Sequence, residues 1–198
     1  QKVSFSGGRT STQDINLMYN LADVVALISS NEGWGLSLTE AMMCGKMIIA
    51  NVTGGMQDQM RFEDENGDWI KFDDKFPSNH FGKYKKCGEW AIPIFPSNMS
   101  LVGSVPTPYI WDDRADFRDI AKAIKQVYDM PREERHKRGM SAREWVQSDE
   151  SKMSARKMCE TFISTTNKTF ETFKSRPSFE LIKIEKLPRK KLTHPLTY

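Results

Sequence analysis

The residues of this chain best suited to chemistry are two carboxylates on either side of a glycine bend. Glu32 and Glu40 lie in Ser30-Asn31-Glu32-Gly33-Trp34-Gly35-Leu36-Ser37-Leu38-Thr39-Glu40, with seven residues between them. Gly33 and Gly35 let a ligand approach backbone N–H groups that a bulkier side chain would cover. Ser37 and Glu40 have the spacing of a capping box, so a helix is expected to begin here and to stop at Gly45. A glycine turn feeding a helix N-terminus suits an anion, and phosphate is the obvious one. Glu40 is then placed to accept from a ribose diol, although taken alone a glutamate three residues after a serine is more simply a plain cap. Glu32 lies at the mouth of the turn, where a solvated loop carboxylate is the simpler reading.

These residues need a scaffold around them. Val24-Val25-Ala26-Leu27-Ile28 is a continuous aliphatic run, the pattern of a strand covered on both faces. Met47-Ile48-Ile49-Ala50 repeats it, and Gly54-Gly55 follows in the corresponding place. Between the two runs, Leu38, Ala41 and Met42 share one helical face. Upstream, residues 2–5 read as a short strand that leads through Gly7, Gly8 and Arg9 into a helix from about Thr12. Ile15, Met18, Tyr19 and Ala22 form the apolar face of that helix. In open α/β sheets, ligands bind outside the carboxyl ends of the strands. Gly7, Gly8 and Arg9 can therefore flank a nucleotide base, or form an ordinary turn with a solvated arginine. Thr53, Gly54 and Gly55 are candidate neighbours of a sugar or phosphate.

The pattern Glu-Gly-Trp-Gly-Leu-x-x-x-Glu-Ala-Met-x-x-Gly resembles the signature of glycosyltransferase family 4, a large family of retaining enzymes with the GT-B fold. The likeness extends over residues 2–62, through Leu17-Met18-Tyr19, Ala22-Asp23-Val24 and Lys46-Met47-Ile48-Ile49-Ala50 with Gly54-Gly55. Lys46 departs from the small residue usual there, and Asn51-Val52-Thr53 lengthens the approach to the glycine pair. The resemblance implies an α/β, Rossmann-like parallel sheet flanked by helices, the C-terminal, donor-binding half of a GT-B fold. It implies a nucleotide-diphosphate sugar as donor and no metal or other cofactor. Glu32 would act at the anomeric carbon and Glu40 would hold the ribose. Backbone around Gly33, Trp34, Gly35, Leu36 and Ser37 would meet the sugar and diphosphate, with Gly7, Gly8, Arg9, Gly54 and Gly55 alongside. The basic pair that the family uses for the diphosphate, and the N-terminal acceptor-binding domain, are expected outside this chain. The acceptor is open among glycan, lipid-linked sugar, protein and modified base.

Composition narrows the class. The chain has 198 residues, 29 basic against 26 acidic, and a formal net charge of +3, too little to argue for nucleic acid by itself. The three cysteines, Cys44, Cys87 and Cys159, are scattered and have no metal-ligand spacing, which suits a reducing, cytoplasmic setting. No apolar run approaches a membrane span. Asn51, Asn98 and Asn167 begin Asn-x-Ser/Thr triplets without a secretory signal beside them.

Residues 1–149 are expected to form the nucleotide-sugar domain, with an irregular insertion at about 73–113. Trp69-Ile70-Lys71-Phe72 alternates like a half-buried strand. Asp116–Asp129 reads as a helix with Phe117, Ile120, Ala121, Ile124, Val127 and Tyr128 inward, and Pro131 opens another helix that Gly139 interrupts. Residues 150–174 form a last helix whose Met158, Phe162, Phe170 and Phe173 suit a crossing to the N-terminal domain or self-association. Residues 175–198 are a basic, extended tail. Two other classes stay open: a nucleotide-sugar-binding or interaction module of GT-B type without transfer activity, and another GT-B enzyme such as a phosphorylase or epimerase.

Overall fold

A computed structural model describes residues 8–71 and 75–175 of the protein. The chain divides into two compact units, Gln1–Cys159 and Glu160–Tyr198. In the first, α1 (Thr12–Leu21) leads to β1 (Val24–Leu27), α2 (Leu36–Met43), β2 (Met47–Asn51) and α3 (Met56–Met60). Next come β3 (Ala91–Ile94), the strands β4 (Asn98–Ser104) and β5 (Thr107–Arg114), and the helices α4 (Phe117–Asp129) and α5 (Arg132–Gln147). The last helix, α6 (Ala155–Thr172), runs through the division between the units.

Strands β1, β2 and β3 form a parallel sheet in that order, with Val25 opposite Ile48 and Ile48 opposite Ala91. Parallel neighbours need crossover connections, and α2 and α3 lie in them. β2 is central and buried at every residue, as its unbroken apolar run requires. Its two faces serve two cores. Ile48, Ala50 and Val52 pack with Leu38 and Met42 of α2 and with Ala142, Trp145 and Val146 of α5. Met47 and Ile49 pack with Ile92, Ile94, Ala123 and Val127, so α4 covers the opposite side. The architecture is thus the α/β, Rossmann-like parallel sheet flanked by helices that the family resemblance implied.

Several local expectations change. β1 is covered on both faces only in part: Val25 and Leu27 pack against the first core and Val24 and Ile28 against the second, while Ala26 is exposed. The inner face expected of α1 is largely outside the core. Ile15 and Met18 are exposed, and Tyr19 is the α1 side chain that packs against the core. In α4, Ala123 and Val127 are the buried residues, whereas Phe117, Ala121, Ile124 and Tyr128 face solvent. The helix is rotated so that its smaller side chains meet the sheet. Gly139 does not interrupt α5. A Cβ there would overlap the Gly45 carbonyl, so the glycine lets α5 pass directly over the end of α2. Residues 69–72 do not form a strand: Trp69 makes one isolated bridge to Glu63, and Phe72 lies outside the described residues. The described part of the stretch 73–113 is more regular than its proline and glycine content suggested. It supplies β3 and most of an antiparallel β4–β5 hairpin.

The exposed apolar residues of α6 include Met158, Phe162, Ile163 and Phe170, followed by Phe173. The strand expected at 2–5, Gly7, and all but the first residue of the basic tail lie outside the described residues. None of the described helices is long and apolar enough to cross a membrane.

Candidate functional site

At the carboxyl ends of β1 and β2 two loops are knitted into one rim. The first runs from Ile28 to Gly35 and carries Glu32. The second runs from Val52 to Gly55. The Gly55 N–H donates to the Glu32 carbonyl at 3.1 Å, and the Asn51 side-chain amide donates to the Ser29 carbonyl at 3.0 Å. A Cβ on Gly54 would overlap the Glu32 carbonyl, and one on Gly55 would overlap the Gly33 carbonyl. This pair is therefore glycine because two backbones touch, whatever else it meets. Gly33 is different, since nothing lies within 4 Å of where its Cβ would be. It leaves the outer side of the bend open.

Gly35 ends the bend and caps α2. Its φ of +78° is a left-handed conformation that glycine adopts at little cost. The capping box does not form. Ser37 sits inside α2, Gly35 is the N-cap, and no side chain caps the helix. The first helical N–H groups, at Leu36 and Ser37, have no acceptor within the helix. Gln59, fully buried on α3, braces the bend from below. Its amide donates to the Gly35 carbonyl at 3.1 Å and to Thr39 Oγ1 at 2.7 Å. The Trp34 indole N–H also donates to Thr39 Oγ1, at 3.0 Å, which turns its ring toward α2 and the core. Leu36 is exposed and Ser37 half-buried. The far end of α2 closes as expected at Gly45, where the N–H groups of Gly45 and Lys46 return to the carbonyls of Met42 and Ala41.

The two carboxylates differ in setting. Glu32 is half-buried, and its Oε1 accepts from Ser29 Oγ at 3.0 Å. Glu40 lies one turn into α2, exposed, and its Oε2 accepts from the Tyr19 phenol of α1 at 2.8 Å. Burial, and then the Glu40 carboxylate, raise the Tyr19 pKa above the usual phenol range, so the proton stays on tyrosine. Gly8 and Arg9 are exposed ahead of α1.

Sequence reasoning missed the polar network beneath the rim. Asp113, at the end of β5, is buried and accepts from Thr53 Oγ1 at 2.7 Å and from the Asn79 amide at 3.0 Å. Its own N–H donates to the Ser30 carbonyl at 3.0 Å. The neighbouring Arg114 guanidinium donates to Ser30 Oγ at 3.2 Å and Ser100 Oγ at 2.7 Å. The hairpin thereby locks both loops. No short-range spacing could announce this, because the partners that join Asp113 and Arg114 to the two loops are separated from them by dozens of residues. Among the described residues, no three His, Cys, Asp or Glu side chains gather as a metal site.

Residues 1–75 match the family model described as Glycosyl transferases group 1. The match covers the sheet start, the Glu32 bend, α2 and the glycine pair, and with the parallel sheet it supports a GT-B glycosyltransferase domain. In general terms it supports glycosyltransferase function. No curated protein matches the chain.

Proposed function

We propose that this chain is the donor-binding half of a retaining, metal-independent glycosyltransferase of the family 4 type, acting on a nucleotide-diphosphate sugar. The observation that carries the reading is the pinned bend. Glu32, the open Gly33 and the uncapped start of α2 sit together at the carboxyl edge of a parallel sheet, with Glu40 one turn further on. In this reading Glu40 accepts from the ribose diol, and the N–H groups from Gly33 to Ser37 meet the sugar and diphosphate. Glu32 positions the sugar at its anomeric carbon. Gly54 and Gly55 set that bend at the right height, and Gly7, Gly8 and Arg9 flank the base.

In the transfer step, the bond from the anomeric carbon to the diphosphate oxygen breaks. The acceptor oxygen bonds to that carbon on the face the diphosphate leaves. The acceptor proton passes to the departing diphosphate. Preorganised donors at that oxygen are the main source of rate, each typically worth about 10²–10³. The apolar residues along α6 are assigned to the acceptor-binding domain or to a second copy of the chain.

Calorimetric titration of the 198-residue chain with UDP, GDP and ADP tests the reading. One nucleotide is expected to bind, and Glu40→Gln is expected to weaken it about 10- to 100-fold, the cost of a hydrogen bond to a charged group. Binding by none of the three, or equal binding by Glu40→Gln, would overturn it.

A further inference from the structure

Beside the rim, a cavity of about 290 Å³ opens between Trp34, the start of α3, the segment around Trp69 and the turn after α5. Two indoles, Trp34 and Trp69, line it together with Asp58, Lys71, Glu150 and Lys152. Both indoles are held in place. Trp34 donates its N–H to Thr39, and the Trp69 ring stands edge-on to Trp145 with centroids 4.9 Å apart. The Lys71 ammonium lies 5.7 Å from the Trp69 ring centre. Asp58 is the unusual member. Among the described residues nothing donates a hydrogen bond to its carboxyl group, and burial alone pushes its pKa up to about 6. A half-buried acid without a partner at the wall of a cavity is a group prepared for a ligand.

The chemistry of the lining selects the ligand class. The lining holds two carboxylates and two ammonium groups, so the cavity carries no excess of either sign to draw in a free anion or cation. The two indoles supply apolar ring surface to the lining, which favours a body with apolar C–H surface of its own. Carboxyl and ammonium groups around them favour a body rich in hydroxyls, each able to donate and accept. A sugar ring has both properties.

We propose that this cavity is a saccharide subsite, with Asp58 accepting from ring hydroxyls and Trp34 and Trp69 contacting the apolar faces of the ring. Trp34 follows Gly33 directly in the chain, so the subsite shares a wall with the bend that carries Glu32. Its role in holding an acceptor glycan rests on the glycosyltransferase reading, whereas saccharide binding as such does not.

The test is ligand-observed saturation-transfer NMR on the full chain. The probes are methyl glycosides of glucose, galactose, mannose and N-acetylglucosamine, each with and without saturating UDP, GDP or ADP. At least one glycoside is expected to bind saturably, to persist with nucleotide present, and to bind at least tenfold more weakly to Asp58→Asn and to Trp69→Leu. Asp58→Asn is nearly isosteric and serves if Trp69→Leu does not fold. The proposal is overturned if no glycoside binds, if folded variants bind equally well, or if UDP, GDP or ADP displaces the glycoside. Nucleotide binding recorded on the same samples reports on the donor reading separately, so either reading can fail without the other.

Discussion

Gly54 and Glu32 are in backbone contact: a side chain on Gly54 would overlap the Glu32 carbonyl, and the next N–H, of Gly55, is hydrogen-bonded to that carbonyl at 3.1 Å. The glycine also has a φ of +52°. Gly54→Ala therefore meets both a steric and a conformational penalty, and is expected to cost about 2–4 kcal/mol in urea unfolding. Gly33→Ala should leave stability within about 0.5 kcal/mol, because its Cβ enters open space. If the bend receives the donor, Gly33→Ala should nevertheless weaken nucleotide-sugar binding, which calorimetry would detect.

The Tyr19–Glu40 hydrogen bond separates structural from functional cost. Tyr19→Phe removes one half-buried donor and is expected to lower stability by about 0.5–1.5 kcal/mol. Glu40→Ala leaves the phenol near solvent and should unfold little more easily than wild type. In the complete enzyme, Glu32→Ala or Glu40→Ala is expected to lower turnover at least about 100-fold without unfolding it. Near wild-type rates in both would remove their assigned roles.

Asp58 makes a pH-dependent contribution of unusual sign. Its folded pKa of about 6 lies above the ordinary aspartate value of 3.8, so between those limits the native state holds a proton that the unfolded chain has lost. Stability from this group declines as pH rises through that window, and the penalty is complete above it. Asp58→Asn should therefore stabilise the protein at pH 7 by about 1 kcal/mol, after allowance for the solvent-facing part of the carboxyl group. The gain should vanish near pH 4. Denaturant titrations of both proteins at the two pH values provide the comparison.

His80 has the opposite dependence. It is buried among Phe62, Tyr84 and Phe95, and burial lowers its pKa below the usual imidazole value, with Lys85 and Lys83 adding to the effect. The unfolded chain binds the proton first, so the stability from neutral His80 is complete above about pH 6.5 and is lost on acidification. NMR titration of the imidazole should show it neutral at pH 6.5, where a free histidine would be half charged.

The cysteines should differ in reactivity. Burial pushes the Cys87 thiol up to about 11, whereas Cys159 is exposed. Iodoacetamide at pH 8 is expected to modify Cys159 at least about 100-fold faster than Cys87, with Cys87 reacting after unfolding. Peptide mapping by mass spectrometry would read both rates.

Strands β1 and β2, helix α2 with its stop at Gly45, and the order of the two glycine loops were determined by the sequence itself. Each depends on neighbours within a few residues: aliphatic runs, helical spacing and turn chemistry. Three further features were decided by contacts between distant segments. Gly54 and Gly55 read as possible ligand neighbours, but the fold presses them against Glu32 and Gly33. Ser37 read as a cap until Gly35 took that place in a conformation set by Leu27, Met56 and Gln59 around it. Asp113 and Asp58 carried no local signal at all. One became the anchor beneath the rim and the other the unpartnered acid of a cavity, because burial and hydrogen-bond supply are properties of the packed chain and not of any stretch of it.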